Sequence, residues 1–246
     1  LKILFLDIET APTTAYVWGM WEQNVGMNQI VKPGYVLSYA AHWLNSDEVL
    51  YNSIQRIDKR TFLQSIHELL TEADVVVHYN GKKFDIPTIN REFVLEGMLP
   101  PANYKQIDLL TVVRKHFKFP HNKLDYVSRA LGCGGKLKHA GFEMWVGCMN
   151  GDQDAWQQMQ EYNIEDVVIL ERLYRKLLPW INNHPNHGLY ADVADVCPNC
   201  GGVHLQRRGY SYTAAGKYQR YQCNDCGSWS RSKKTVAVKG ILGNAV

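Results

Sequence analysis

The first ten residues, Leu1-Lys2-Ile3-Leu4-Phe5-Leu6-Asp7-Ile8-Glu9-Thr10, constrain the fold of this chain more than any other stretch. An almost unbroken apolar run ending in polar residues reads as a strand buried on both faces at the centre of a sheet. Alternation along a strand puts Ile3, Phe5, Asp7 and Glu9 on one face and Leu4, Leu6 and Ile8 on the other. Asp7 and Glu9 thus stand side by side where the strand leaves the core. Adjacent acids repel one another unless a cation lies between them, and oxygen ligands suit a hard divalent ion such as magnesium or manganese. A strand ending in a solvated acidic turn is the competing account, and one D-x-E pattern does not exclude it.

Further along, residues 11–34 carry prolines and glycines around Tyr16, Trp18 and Trp21 and read as a long connection with its own packing. Tyr35 to Trp43 and Glu48 to Gln55 read as a β-hairpin, which makes an antiparallel meander with the first strand. Thr61 to Thr71 has helical spacing, and Val75-Val76-Val77 marks a fourth strand. A helix follows from about Asp85 to Glu96, with Asp85 and Pro87 looking like its N-terminal signals. Residues 104–107 read as a fifth strand. Asp108 and Asp125 are read as caps of the next two helices, and residues 132–151 are glycine-rich without clear periodicity.

The helix expected over about Asp154 to Ile181 has an apolar stripe through Met159, Tyr162, Ile169, Leu173 and Leu177. Asp166 interrupts it, four residues after Tyr162, so an acid sits on the buried face. Burying a carboxylate unpartnered costs several kcal/mol, roughly, and the position calls for a cation. Tyr162 taken alone reads as a core aromatic.

The tail has a different composition. Through residue 190 the chain has 19 lysines and arginines against 21 acids, and beyond it 8 against 3. We expect two domains, 1–190 and 191–246, the second basic enough to favour a polyanionic partner. Cys197-x2-Cys200 and Cys223-x2-Cys226, each followed by a glycine and separated by a hairpin-sized insert, read as a structural four-thiolate zinc ribbon. Disulfides are the competing account, disfavoured inside a cell. Cys133 and Cys148 read as small buried or loop residues. Arg207, Arg208, Tyr210, Tyr212, Lys217, Tyr218, Arg220, Tyr221 and Trp229 interleave charge with aromatic faces, which suits single strands, although tyrosines in so small a domain also serve as its core. No apolar run is long enough to span a bilayer and the N-terminus does not read as a signal peptide, so a soluble cytoplasmic protein without a membrane partner is expected.

Acids thus appear at the end of the first strand, at the entry to the helix after the fourth, and on the buried face of the late helix. Four carboxylates from distant segments are what a two-metal phosphoryl-transfer site needs. The set D-I-E at 7–9, N-x3-F-D at 80–85 and Y-x3-D at 162–166, in this order, resembles the DEDD 3′–5′ exonucleases of the ribonuclease H-like fold. It is similar to their tyrosine branch, and most of all to stand-alone relatives of the proofreading domain of family B DNA polymerases found in bacteria and tailed phages. The resemblance covers about residues 1–180.

The resemblance implies an α/β fold with a mixed sheet flanked by helices, two magnesium or manganese ions, and release of 5′-mononucleotides from single-stranded nucleic acid. By the same resemblance Asp7 bridges both ions, Glu9 and Asp166 complete one metal site, Asp85 holds the second ion partly through waters, and Tyr162 positions the attacking water. Asn80 and Phe84 would touch the terminal nucleotides, Thr10 would bind the 3′ end through its backbone, and Lys136 and Lys138 are candidates for phosphate, although a solvated loop is the preferred account of both lysines. DNA is favoured over RNA as partner, although the motifs alone do not fix the sugar. The cell implied is bacterial, with a bacterial or phage gene. Two rival readings remain at this level: an endonuclease or ribonuclease on the same fold, and a non-catalytic nucleic-acid binder that relies on the ribbon.

Overall fold

The structure is a computed structural model and is described for residues 1–135 and 141–237. It comprises two compact units, one of Lys2–Leu173 and one of Leu1 with Tyr174 onwards.

The first unit is built on a five-stranded sheet of β1 (Ile3–Thr10), β4 (Val36–Trp43), β5 (Val49–Ser53), β6 (Val75–His78) and β7 (Lys105–Asp108), in the order β5-β4-β1-β6-β7. β1 is central, as its apolar run requires. It pairs antiparallel with β4 and parallel with β6, and β6 pairs parallel with β7. The even face of β1, Leu4, Leu6 and Ile8, packs with Phe62, Leu63, Ile66 and Leu70 of α1 (Lys59–Glu72) and with Ile86, Ile89 and Phe93 of α2 (Asp85–Leu95). Asp58 caps α1: its carboxylate accepts from Thr61 N at 3.0 Å and from Thr61 Oγ1 at 2.6 Å. Two short strands, β2 (Thr14–Ala15) and β3 (Ile30–Lys32), pair within the 11–34 connection. The expectation that this connection packs its own aromatics is overturned, because Tyr16, Trp18 and Trp21 project from it exposed.

The helices α3 (Leu109–His116), α4 (Leu124–Ala130), α5 (Phe142–Met149) and α6 (Gln153–Leu177) complete the first unit, the last turn of α6 belonging to the second. α5 lies inside the segment read as aperiodic, because its eight residues are apolar almost all round and show no polar face to mark a period. α6 stops at Leu177, ahead of Pro179, and a 3-10 turn follows over Leu178–Trp180. Asp108 caps α3 as expected, accepting from Leu110 N at 3.0 Å. Asp125 does not cap α4. Lys123 holds that position, and Asp125 in the first turn instead pairs with Arg129 Nε at 2.8 Å, an i,i+4 contact. Cys133 and Cys148 are buried.

The second unit has a short helix α7 (His187–Ala191) and a three-stranded antiparallel sheet of β8 (Leu205–Thr213), β9 (Gly216–Cys223) and β10 (Trp229–Thr235), with β9 in the middle. Its two cysteine knuckles are built alike. Gly201 N donates to Cys197 O and Gly227 N to Cys223 O, each at 2.9 Å. Both glycines lie at positive φ, +74° and +78°, where a side chain would strain the turn. Asn199 Nδ2 ties the first knuckle to the chain just past α6, donating to Leu178 O at 3.1 Å.

Candidate active site

The odd face of β1 carries Asp7 and Glu9 out of the sheet opposite Ala40 and Ser38 of β4, and the register slips between Glu9 and Thr10. Such an irregularity bends a strand and re-aims its side chains. α6 supplies Asp166, 2% exposed in its apolar stripe. A ligand oxygen from each of Asp7, Glu9 and Asp166 lies within 4.8 Å of the others. Three carboxylates this close repel strongly. A divalent cation relieves that repulsion, and an all-oxygen donor set fits magnesium or manganese better than a thiophilic metal.

Asp85 stands apart from that trio. It is the first residue of α2 rather than its cap, because the cap position belongs to Phe84, which makes no side-chain capping bond. The β1–β6 ladder pairs Ile3 through Phe5 only, which leaves β1 beyond that point open on this edge. Asp85 Oδ1 accepts there from Ile8 N at 3.2 Å, on the residue between Asp7 and Glu9. Burial pushes the Asp85 carboxyl up to about 7; bonds from the Ile8 and Asp85 N–H groups oppose the shift and the Asp108 charge adds to it.

Two side chains that sequence reasoning passed over hold the acids. Asn163, fully buried, donates Nδ2 to Asp7 Oδ2 at 2.8 Å and to Asp7 O at 3.3 Å, while its Oδ1 accepts from Ser38 Oγ at 3.0 Å. Trp145 of α5 donates Nε1 to Glu9 Oε2 at 3.1 Å and meets the Tyr162 ring edge-on, 6.0 Å between centroids. A signal for Asn163 was present, since it is a polar residue three places before Asp166 on the same helical face. For Trp145 there was none, because only the packing of α5 brings it to β1.

Tyr162 is buried beside Trp145 in the cluster that also contains Met144, Trp156 and Met159. Phe84 is half-exposed and Thr10 half-buried. Asn80 adopts φ +68°, a conformation asparagine tolerates, and its N–H donates to Asp108 Oδ1 at 2.9 Å. It also lines a cavity of about 720 Å³ shared with Tyr79, Arg114, His121 and Lys123. Lys136 and Lys138 lie outside the described residues.

In the second unit the four thiols of Cys197, Cys200, Cys223 and Cys226 lie within 4.8 Å of one another. Cys197 Sγ is 3.7 Å from Cys226 Sγ, and Cys200 Sγ is 3.7 Å from Cys223 Sγ. Four sulfurs at about 2.3 Å from a tetrahedral ion stand roughly 3.8 Å apart, so the arrangement fits a structural zinc. Burial pushes the Cys197 thiol up to about 11, with N–H groups of Cys200 and Asn199 opposing, so thiolate there calls for a cation.

A mixed sheet with acids gathered at the end of its central strand is the architecture of a nuclease fold. The chain belongs to the RNase_H superfamily, whose family model matches residues 4–178. Among solved structures it is similar to the family B DNA polymerase from the hyperthermophilic archaeon Pyrobaculum calidifontis, with a TM-score of 0.57 at 18% identity. That match covers 87% of this chain and 31% of the polymerase, and at this identity it carries the fold alone. No curated protein matches the chain. No helix among the described residues is long and apolar enough to cross a membrane.

Proposed function

We propose that the chain is a metal-dependent 3′–5′ exonuclease that releases 5′-mononucleotides from single-stranded nucleic acid, DNA in preference to RNA. The observation that carries the reading is the meeting of Asp7, Glu9 and Asp166, from the two ends of the nuclease unit, within 4.8 Å. Asp85, joined to the same strand through Ile8 N, supports it. When bound, two magnesium or manganese ions would lower the pKa of an attacking water and neutralise charge on the leaving oxygen. Asp7 would be the ligand common to both ions, Glu9 and Asp166 would complete one site, and Asp85 would serve the other.

Asn163 and Trp145 would hold Asp7 and Glu9 in place through Asp7 Oδ2 and Glu9 Oε2. The remaining roles are proposed on the resemblance of the motifs. Tyr162, one turn before Asp166, would orient the water, while Phe84 offers an exposed ring for stacking on a terminal base. Asn80 and the Thr10 backbone would complete the grip on the 3′ end. We assign the nuclease to residues 1–190 and a ribbon holding one structural zinc to 191–246.

Matched single-stranded DNA and RNA with a 5′ label test the reading. Progressive shortening from the 3′ end with mononucleotide product, DNA degraded faster, and resistance of a 3′-phosphorylated strand are expected. Cleavage of a closed circle or release of internal fragments would identify an endonuclease, and full-length strand retained in a gel shift would identify a binder.

A further inference from the structure

We propose that the ribbon sheet binds single-stranded nucleic acid across one face, through Trp229, Arg220, Arg231 and Tyr218. The proposal stands independently of the exonuclease reading, since it concerns a surface of the second unit alone. Strands β8, β9 and β10 carry seven lysines and arginines and no acid. Asp225, in the second knuckle, is already engaged by His204, with Nδ1 2.7 Å from its Oδ1. A surface of this sign is complementary to a polyanion.

The register shows how the charge is arranged. Arg220 stands directly opposite Arg231, and Gln222 opposite Trp229, so Tyr218, Arg220, Trp229 and Arg231 share one face. The Arg220 guanidinium lies 4.7 Å from the Trp229 ring centre and that of Arg231 4.1 Å from the ring of Tyr218. Arg220 is further fixed by donating Nε to Arg208 O at 2.9 Å. Like charges directly opposite on neighbouring strands destabilise a sheet. Two paired arginines therefore work against the fold, and an anion set between them would remove the penalty.

The aromatics are not the core of this unit. Of the residues in the three strands only Cys223 is buried, and Trp229 remains 51% exposed. Two ring–guanidinium pairs along one face, Trp229 exposed and Tyr218 half-buried, match the alternation of base and phosphate in an unpaired strand. A duplex keeps its base faces stacked inside, where the ring of Trp229 finds none to stack on, whereas an unpaired strand offers them. The opposite face places Lys217 over Tyr210 and near Tyr212, at 3.8 and 5.9 Å, without a like-charge pair.

The test uses the zinc-loaded full chain, without added magnesium or manganese, and the fluorescence anisotropy of a labelled oligothymidylate of about thirty nucleotides across a salt series. Arg220→Gln with Arg231→Gln should weaken binding about tenfold near 0.1 M salt and reduce the salt slope by about 1.4, the share of two phosphates on a single strand. Trp229→Ala should weaken binding about tenfold with the slope unchanged, because stacking releases no counterions. Lys217→Ala should change either quantity far less. Parent-like affinity and slope in both the arginine and the Trp229 variants would overturn the proposal. So would a dominant loss in Lys217→Ala, or tighter binding to duplex or to phosphatidylserine vesicles than to the single strand. Zinc content and magnesium-dependent turnover of a trinucleotide should match the parent in every variant. If the parent degrades nothing while these binding losses appear, the exonuclease reading fails and the ribbon assignment stands.

Discussion

The Asn163 amide joins β4, β1 and α6 through bonds to Ser38 Oγ, Asp7 O and Asp7 Oδ2, so its loss should register twice. Asn163→Ala removes one support of Asp7, and turnover should fall about 10–100-fold, as when other supports of a metal ligand are removed. It also removes a buried hydrogen bond of the Ser38 hydroxyl, and unfolding free energy should drop by about 1–3 kcal/mol. Asp166→Ala should behave in the opposite sense for stability: turnover nearly lost, thermal midpoint kept or raised, since a buried acid is removed. Measured turnover and melting of the pair separate the roles, and parent-like turnover in Asp166→Ala would displace the site. Tyr162→Phe should be milder than either, and slower turnover than in Asp166→Ala would refute its role as a water-orienting group.

His78 gives the first unit an acid sensitivity. Burial holds its imidazole below the ordinary 6.5, with the Asp108 carboxylate 3.7 Å away and the bond to Gln106 opposing. The neutral ring is the one the fold favours. Its contribution is therefore complete above the unfolded value and is lost as pH falls below about 6.5 toward the lower folded value. Thermal midpoints measured from pH 8 down to 5 should decline in that window and His78→Gln should flatten the decline; an unchanged slope would locate the sensitivity elsewhere.

Among the elements, the turn between β6 and α2 is closely packed. Asn80 takes φ +68°, Ile86 N donates to Gly81 O at 2.9 Å, and Thr88 Oγ1 bonds Phe84 O at 2.7 Å. A Cβ at Gly81 would lie 2.5 Å from His78 Cγ and 2.7 Å from its Cβ, a contact the buried ring cannot relieve by turning. Gly81→Ala should thus cost about 1–3 kcal/mol, as overpacking does. By displacing the start of α2 it should pull Asp85 from Ile8 N and lower turnover. A variant as stable and active as the parent would show that the turn is softer than its packing indicates.

At the scale of the molecule, two clusters that could hold metal, one of acids and one of thiols, lie in two units. The four-thiolate cluster leaves no open position, so its ion would be retained under mild chelation while ions at the acid cluster wash out. Cys223→Ser should take zinc from one per chain to none and abolish the melting transition of the second unit. Cleavage of a trinucleotide with added magnesium should persist. Loss of that cleavage would mean that the two units do not act separately.

Much of the site was legible before any fold was known because its signals are local. Asp7 and Glu9 lie on one strand at spacing two, Asp166 breaks a helical stripe, and the cysteines stand in paired knuckles, so period and spacing suffice. Other residues had competing explanations that local pattern cannot separate. Asp85 and Asp125 both look like helix caps; only the open edge of β1 beyond Phe5 turned the first toward Ile8 N, and only the i,i+4 neighbour Arg129 claimed the second. Trp145 left no trace in the sequence, because α5 is apolar all round and its direction is set by what it packs against. The sequence by itself determined which acids and thiols stand at paired spacings and which segments form the five strands of the main sheet. The tertiary structure alone decided which oxygen meets which, because hydrogen bonds between β1, β4, α2, α5 and α6 depend on distances that no spacing along the chain encodes.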